Sequence, residues 1–197
     1  MPGRADFRGG CKGDPVIVVS GPPGSGKSTY ARRLAQDLHL EYYSTGTIFR
    51  RIASERGLSL EELSRLAEED PSIDLEIDRA TLKAAEKGGV VIDSHLAAWI
   101  LRERADFLVY VKAPLPVRVE RIARRDGMSL WEALRETLAR EWSQRERFLR
   151  FYGVDIWDTS IFHLIVDTSV YTVEETYSII LEGARRALEG RNERCKG

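Results

Sequence analysis

The chain has 197 residues, of which 43% are hydrophobic and 31% charged, with a formal net charge of −1. That composition suits one globular domain with a sizeable core, and it excludes a disordered chain and a globally basic nucleic-acid binder. No apolar run approaches the length of a membrane span, so no membrane partner is expected.

Residues 1–14 carry Arg4, Arg8 and Lys12 among glycines without an apolar centre, which reads as a flexible tail and not as a signal peptide. The first element is Val16-Ile17-Val18-Val19, a continuous β-branched run of the kind that fills a central parallel strand buried on both faces. Gly21-Pro22-Pro23-Gly24-Ser25-Gly26-Lys27-Ser28 follows it and fills every fixed position of the phosphate-binding pattern GxxxxGK followed by Ser or Thr. Ala31, Leu34, Ala35 and Leu38 then recur at helical spacing, so the pattern has the strand before it and the helix after it that it requires.

Each residue type in this loop has a chemical reason. The glycines permit a tight turn and close approach of the backbone to phosphate oxygens. Successive N–H groups, with a helix N-terminus behind them, make a nest for a polyanion. Lys27 is expected to reach the β- and γ-phosphates, Ser28 to place its hydroxyl on Mg²⁺, and Thr29 to offer a second hydroxyl. The implied ligands are ATP and Mg²⁺.

Further short apolar runs predict strands at Glu41–Tyr43, Val90–Ile92, Phe107–Val111 and Leu164–Ile165-Val166, which makes five strands alternating with helices, hence a parallel sheet. The link from Tyr43 to Val90 is long enough for several helices: Thr47–Glu55, then Ser59–Glu69 opened by a Ser59/Glu62 capping box, then Ile73–Lys87 after the Asp70-Pro71 break. Residues 114–152 form a second, heavily charged helical stretch with a capping box at Ser129/Glu132. A third box, Thr172/Glu175, opens a terminal helix expected to end near Leu188, with 189–197 as a tail. The whole reads as one domain over 15–188, carrying an acceptor-binding insertion at 44–88 and a lid at 114–152. Cys11 and Cys195 sit near opposite ends without metal spacing, which fits a reducing cytoplasm.

Candidate acceptor residues cluster after the second and third strands. Ser44, Thr45 and Gly46 follow strand two on the ligand-facing edge, and Arg50 lies a turn further, placed to clamp an acceptor phosphate. Asp93 directly follows the third strand, where a carboxylate points at the Mg²⁺ region; if the acceptor is a hydroxyl, Asp93 is the candidate general base, and the structural alternative to any such role is a cap for the next helix. His95 follows it and is either structural or part of the acceptor site. Six lysines stand against 24 arginines, and Arg118, Arg121, Arg124 and Arg125 repeat at helical spacing, with Arg140, Arg145 and Arg147 beyond. In a closing lid, Arg121, Arg125, Arg140 and Arg147 are the candidates for neutralising a transferring phosphoryl group. The alternatives are a solvated charged face, a nucleotide-dependent switch, or an RNA-binding ATPase; the chain lacks an Asn-Lys-x-Asp guanine reader and an aromatic-rich basic strand pair.

From about Pro15 to Leu188 the chain resembles the nucleoside monophosphate kinases, most closely the archaeal type of cytidylate kinase. The resemblance is carried by Ser20–Thr29, Ser44-Thr45-Gly46 with Ile48-Phe49-Arg50, and Leu96-Ala97-Ala98-Trp99. It continues through Lys112-Ala113-Pro114-Leu115 with Arg118, Glu120-Arg121-Ile122-Ala123 with Arg125, Tyr152-Gly153-Val154-Asp155-Ile156, Asp158, Ser160-Ile161 and Asp167-Thr168-Ser169. It implies the P-loop NTPase fold, a five-stranded parallel sheet with a helical acceptor-binding insertion and a lid, and reversible transfer of the γ-phosphoryl of ATP to CMP or dCMP by a monomer. It also implies that residues 21–29 hold ATP and that Arg50 holds the acceptor phosphate. Kinases of UMP, AMP or a small hydroxylated metabolite share the same pattern of fold. Where many family members carry Gly-Arg after the third strand, this chain has Ser94-His95, and Ser143-Gln144-Arg145 stands where the family often has acidic residues.

Overall fold

The computed structural model describes residues 13–194. The β-branched run becomes β1 (Val16–Ser20), the central strand of a parallel sheet that also contains β2 (Glu41–Ser44), β3 (Val90–Asp93), β4 (Phe107–Lys112) and β5 (Leu164–Asp167). The strand order is β2-β3-β1-β4-β5. All five predicted strands are present, and each runs one residue further at its C-terminal end than its apolar run, which carries polar residues to the sheet edge.

Alternation along β1 explains the two-sided core. Ile17 and Val19 point to one face and pack with Val91, Val109 and Val111 against α1 (Lys27–Asp37) and α8 (Val173–Arg194). Val16 and Val18 point to the other face, with Ile92 and Leu108, against α4 (Ser72–Lys87) and the short α5 (Ala97–Ile100). Burial on both faces is why these strands read as unbroken apolar runs.

The link after β2 forms α2 (Thr45–Glu55), α3 (Leu60–Glu69) and α4, which close on a small core of their own around Ile52, Leu63, Ile73 and Ile77. After β4 come α6 (Leu115–Asp126) and α7 (Leu130–Tyr152), joined through Val119, Ile122 and Ala133. The three capping boxes form: Glu62, Glu132 and Glu175 each donate a backbone N–H to the Ser59, Ser129 or Thr172 hydroxyl and accept the reciprocal backbone N–H. Each satisfies two otherwise orphaned donors at a helix start.

One expectation is corrected. The terminal helix does not stop near Leu188 but continues to Arg194, so residues 189–194 are helical and not a tail. The cause is long-range. Arg191 Nε lies 2.9 Å from Asp106 Oδ1, with the two side chains only 11% and 3% exposed. Asp106 Oδ2 in turn accepts from the Val16 N–H at 2.8 Å, which ties the end of α8 to the start of β1. Residues 1–12 of the expected N-terminal tail, including Cys11, and Cys195 lie outside the described residues.

Breaking this buried pair should cost far more than breaking an exposed one. Arg191→Ala is expected to lower unfolding stability by roughly 3 kcal/mol. Arg186→Ala, which removes an exposed i,i+4 pair with Glu182, should cost under about 0.5 kcal/mol. Urea denaturation of the two variants checks the contrast.

Candidate active site

The polar ends of β1, β2 and β3 stand in register: Val19 is opposite Asp93, and Asp93 is opposite Ser44. The chain leaves β1 through residues 21–26 and enters α1 at Lys27. Two glycines in this turn have no room for a side chain. A Cβ on Gly24 (φ +77°) would lie 2.7 Å from the Arg118 carbonyl oxygen, and one on Gly21 would fall on the Val111 carbonyl. The loop is therefore pressed against β4 and α6. No side chain caps the start of α1, which leaves its first N–H groups for an anion.

Lys27 Nζ folds back on the loop and donates to the Pro22 carbonyl at 3.0 Å. Burial, with the nearby charges of Arg140 and Arg118, pushes its pKa down to about 8 against the opposing pull of Asp93. Ser28 Oγ donates to Asp93 Oδ2 at 2.6 Å, and Tyr42 donates to the same oxygen at 2.8 Å. A hydroxyl and a carboxylate side by side are hard oxygen donors suited to Mg²⁺. The glycine cradle and the uncapped helix suit a triphosphate, so both implied ligands fit the residues present.

Asp93 does not cap the following helix. Leu96 holds the N-cap position of α5, and it is Ser94 Oγ that accepts from the Ala97 N–H, at 3.1 Å. Thr45 Oγ1 lies 3.4 Å from the Asp93 carbonyl. Arg50, on α2, is exposed and donates to Thr47 Oγ1 at 3.2 Å.

Phosphate loop and acceptor elements line one cleft of about 950 Å³. Its walls include Gly24, Gly26, Lys27, Ser28 and Thr29 on one side, Ser44, Thr45, Gly46 and Arg50 on another, and Asp93 and His95 below. Of the arginines singled out in the sequence, Arg121, Arg125, Arg140 and Arg147 line it, while Arg118, Arg124 and Arg145 do not. Arg118 is buried on the Ala113 and Pro23 carbonyls and pairs with Glu141, Arg124 pairs with Glu120, and Arg145 lies over the Trp157 ring and pairs with Asp155.

The four cleft arginines differ in their partners. Arg121 donates to Thr168 Oγ1 and to the Thr168 carbonyl, both at 2.8 Å, and reaches the Gly24 carbonyl, so it braces the phosphate loop. Arg125 is paired with Asp126 and Arg147 with Asp74. Arg50 and Arg140 have no carboxylate partner among the described residues. Desolvation, then the charges of Arg125, Arg50 and Arg147, push the Arg140 pKa down although its surface is open to solvent. This surplus of positive charge facing an open cleft suits an anion.

His95 is buried, and its Nδ1 lies 3.0 Å from Gln144 Oε1. Burial, reinforced by the Lys27 charge, pushes its pKa down to about 3, so the ring is neutral at physiological pH. The two places where the sequence departs from the pattern it resembles are thus in contact with each other.

The sequence reading missed Asp74 and Asp78 on α4 and Tyr152 at the end of α7. Asp74 accepts from Arg147 at 3.1 Å, and Asp78 accepts from the Tyr152 hydroxyl. The available signal was their i,i+4 spacing beside the core residues Ile73 and Ile77, which puts both carboxylates along one edge of the buried face.

The model of the cytidylate kinase-like family matches residues 16–170. The chain belongs to the cytidylate kinase-like family. Relatives within it include a cytidylate kinase of Aeropyrum pernix, 73% identical over 86% of this chain and 98% of that one. A cytidylate kinase of Staphylothermus marinus is 54% identical over 88% and 98%. Among solved structures, a gluconokinase from Sinorhizobium meliloti superposes with a TM-score of 0.60 at 19% identity, covering 91% of this chain and 97% of that one. A shikimate kinase from Acinetobacter baumannii superposes at 0.54 and 20%, covering 86% and 92%. These distant likenesses show that this family member has the fold of P-loop kinases. No helix among the described residues is long and apolar enough to cross a membrane.

Lys27 sets a pH dependence. A bound polyanion favours the charged amine, so between the free and bound pKa values binding takes up a proton and weakens as pH rises. The ATP Kd should hold steady below about pH 8 and then increase, by at most tenfold per pH unit, up to pH 9.5. Calorimetric titration across that range measures it, and a flat Kd would contradict a ligand contact for Lys27.

Proposed function

We propose that this chain transfers the γ-phosphoryl group of ATP to CMP and dCMP, releasing ADP and CDP or dCDP. The observation that carries this reading is the single cleft in which the phosphate loop faces Arg50 and Arg140, two cations without carboxylate partners. Its relatives' names, at up to 73% identity, supply the cytidylate acceptor.

In this reading residues 21–29 wrap the ATP phosphates, and Lys27 leaves the Pro22 carbonyl to meet the β- and γ-oxygens. Ser28 and Asp93 would hold Mg²⁺, which when bound would offset charge on the phosphate oxygens. Arg50 fixes the CMP phosphate with Ser44, Thr45 and Gly46 around it, and His95 lies beneath. An oxygen of that phosphate attacks the γ-phosphorus, the bond from the γ-phosphorus to the β–γ bridging oxygen breaks, and its electron pair leaves with ADP. The attacking oxygen is already anionic, so no general base is required. Asp93 Oδ2 accepts from Ser28 and Tyr42, and a phosphate acceptor asks no base of it. Arg140 and Arg125, with Arg121 bracing the loop, neutralise the oxygens of the group in flight, and Arg147 lines the acceptor side. Binding residues for both substrates come from one chain, so a monomer is sufficient for the reaction.

An acceptor panel tests the reading: ATP and Mg²⁺ with CMP, dCMP, UMP, AMP, GMP or no acceptor, following ADP release. Turnover should favour CMP and dCMP and nearly vanish without acceptor, whereas release indifferent to acceptor would indicate an ATPase. Lys27→Ala should lower kcat by about 10²- to 10³-fold, as loss of one preorganised electrostatic donor does. Arg50→Ala should raise the KM for CMP while leaving that for ATP nearly unchanged; equal changes in both would remove Arg50 from the acceptor site.

A further inference from the structure

The end of the cleft farthest along α7 has a different chemistry from the phosphate end. From Arg140 to Tyr152 the helix rises about 18 Å. At the Arg140 end, its charge acts on Lys27 and His95. Toward the Tyr152 end, the cleft is lined by apolar Phe49, Ile77 and Phe148 and by two carboxylates on α4.

Those carboxylates are not equivalent. Both oxygens of Asp74 accept from Arg147, so its charge is compensated. Asp78, one turn on, has no cation partner among the described residues. Its Oδ2 accepts from the Tyr152 hydroxyl, and its Oδ1 has no partner there. A half-buried, unpaired carboxylate beside a second carboxylate is costly to hold in a folded chain. Burial, opposed by the Tyr152 hydrogen bond, pushes its pKa up to about 6, so above neutral pH it remains ionised and accepts hydrogen bonds without donating any.

We infer that Asp78 accepts a hydrogen bond from the exocyclic 4-amino group of the acceptor's cytosine, with Tyr152 as the positioning residue that turns the free carboxylate oxygen toward the base. The inference rests on the cytidylate acceptor proposed above and adds the group that reads the base. Cytosine presents an N–H donor at its 4-position and uracil presents a carbonyl oxygen. An ionised carboxylate therefore attracts the first and repels the second. The apolar side chains around it suit a planar ring, and the unmatched charge gives the site a donor preference that a hydrophobic slot alone lacks.

The test is kcat/KM for CMP and for UMP, at pH 8, in the wild type and in Asp78→Asn. In the variant, Tyr152 still donates to the side-chain oxygen, so the amide NH₂ faces the base and suits the uracil carbonyl. The CMP-to-UMP ratio should fall by about 10- to 100-fold, the range set by one hydrogen bond to a charged group. Retained ATP binding reports a folded variant. If Asp78→Asn does not fold, Tyr152→Phe carries the same readout, with a severalfold fall in the ratio expected. A simple packing role would lower turnover of both acceptors together. A CMP-selective wild type whose ratio stays within about twofold in the folded variant overturns the role of Asp78. A wild type that does not prefer CMP overturns the acceptor assignment itself, and this inference with it.

Discussion

Three parallel strands end level with one another, so Val19 at the end of β1, Asp93 of β3 and Ser44 of β2 stand side by side at one edge of the sheet. Parallel pairing allows this register because the helical crossovers bring every strand back in the same direction. Helices α1 and α2 start at that same edge and bring Ser28 and Thr45 against Asp93. A shift of one residue in β3 would turn Asp93 toward the opposite face and separate it from Ser28. The donor loop and the acceptor segment therefore share a carboxylate because of backbone registry, before any side-chain packing is considered.

The rest of the cleft is arranged by charge. The loop has no room for side chains against β4 and α6, so α6 can sit over it and supply Arg121 and the buried Arg118. Arg118 and Glu141 then tie α6 to α7, which carries Arg140, Gln144, Arg147 and Phe148 along one side of the cleft. The cations gather at the phosphate end, where two of them lack carboxylates, and the unpaired carboxylate lies at the other end. Such a gradient matches the proposed nucleotide, which is anionic at one end and neutral and planar at the other. Burial and the neighbouring charges of Arg125, Arg50 and Arg147 push the Arg140 pKa down.

Much of this was legible along the chain because it depends on neighbours in sequence. The phosphate loop is a contiguous pattern, each strand is an apolar run, and all three capping boxes are closed by residues three apart. The arginine run was legible only as a group: helical spacing does not tell Arg121, braced on Thr168, from Arg124, paired with Glu120 at the surface. The extension of α8 was missed because Arg191 is anchored by Asp106, far away in sequence. Asp74 and Asp78 were not singled out, since only side chains reaching across from α7 give one of them an arginine and the other a tyrosine.

By itself, the sequence determined the ligand class, the alternation of strands and helices, and the helix starts, because each rests on local backbone chemistry or on a short pattern that only a few residue types satisfy. Tertiary structure decided which charges are spent on internal pairs and which face the cleft. It also decided that His95 meets Gln144 and that Asp78 meets Tyr152. Those outcomes turn on partners 49 and 74 residues apart, and on burial, which makes one carboxylate a compensated pair and leaves another as an open acceptor.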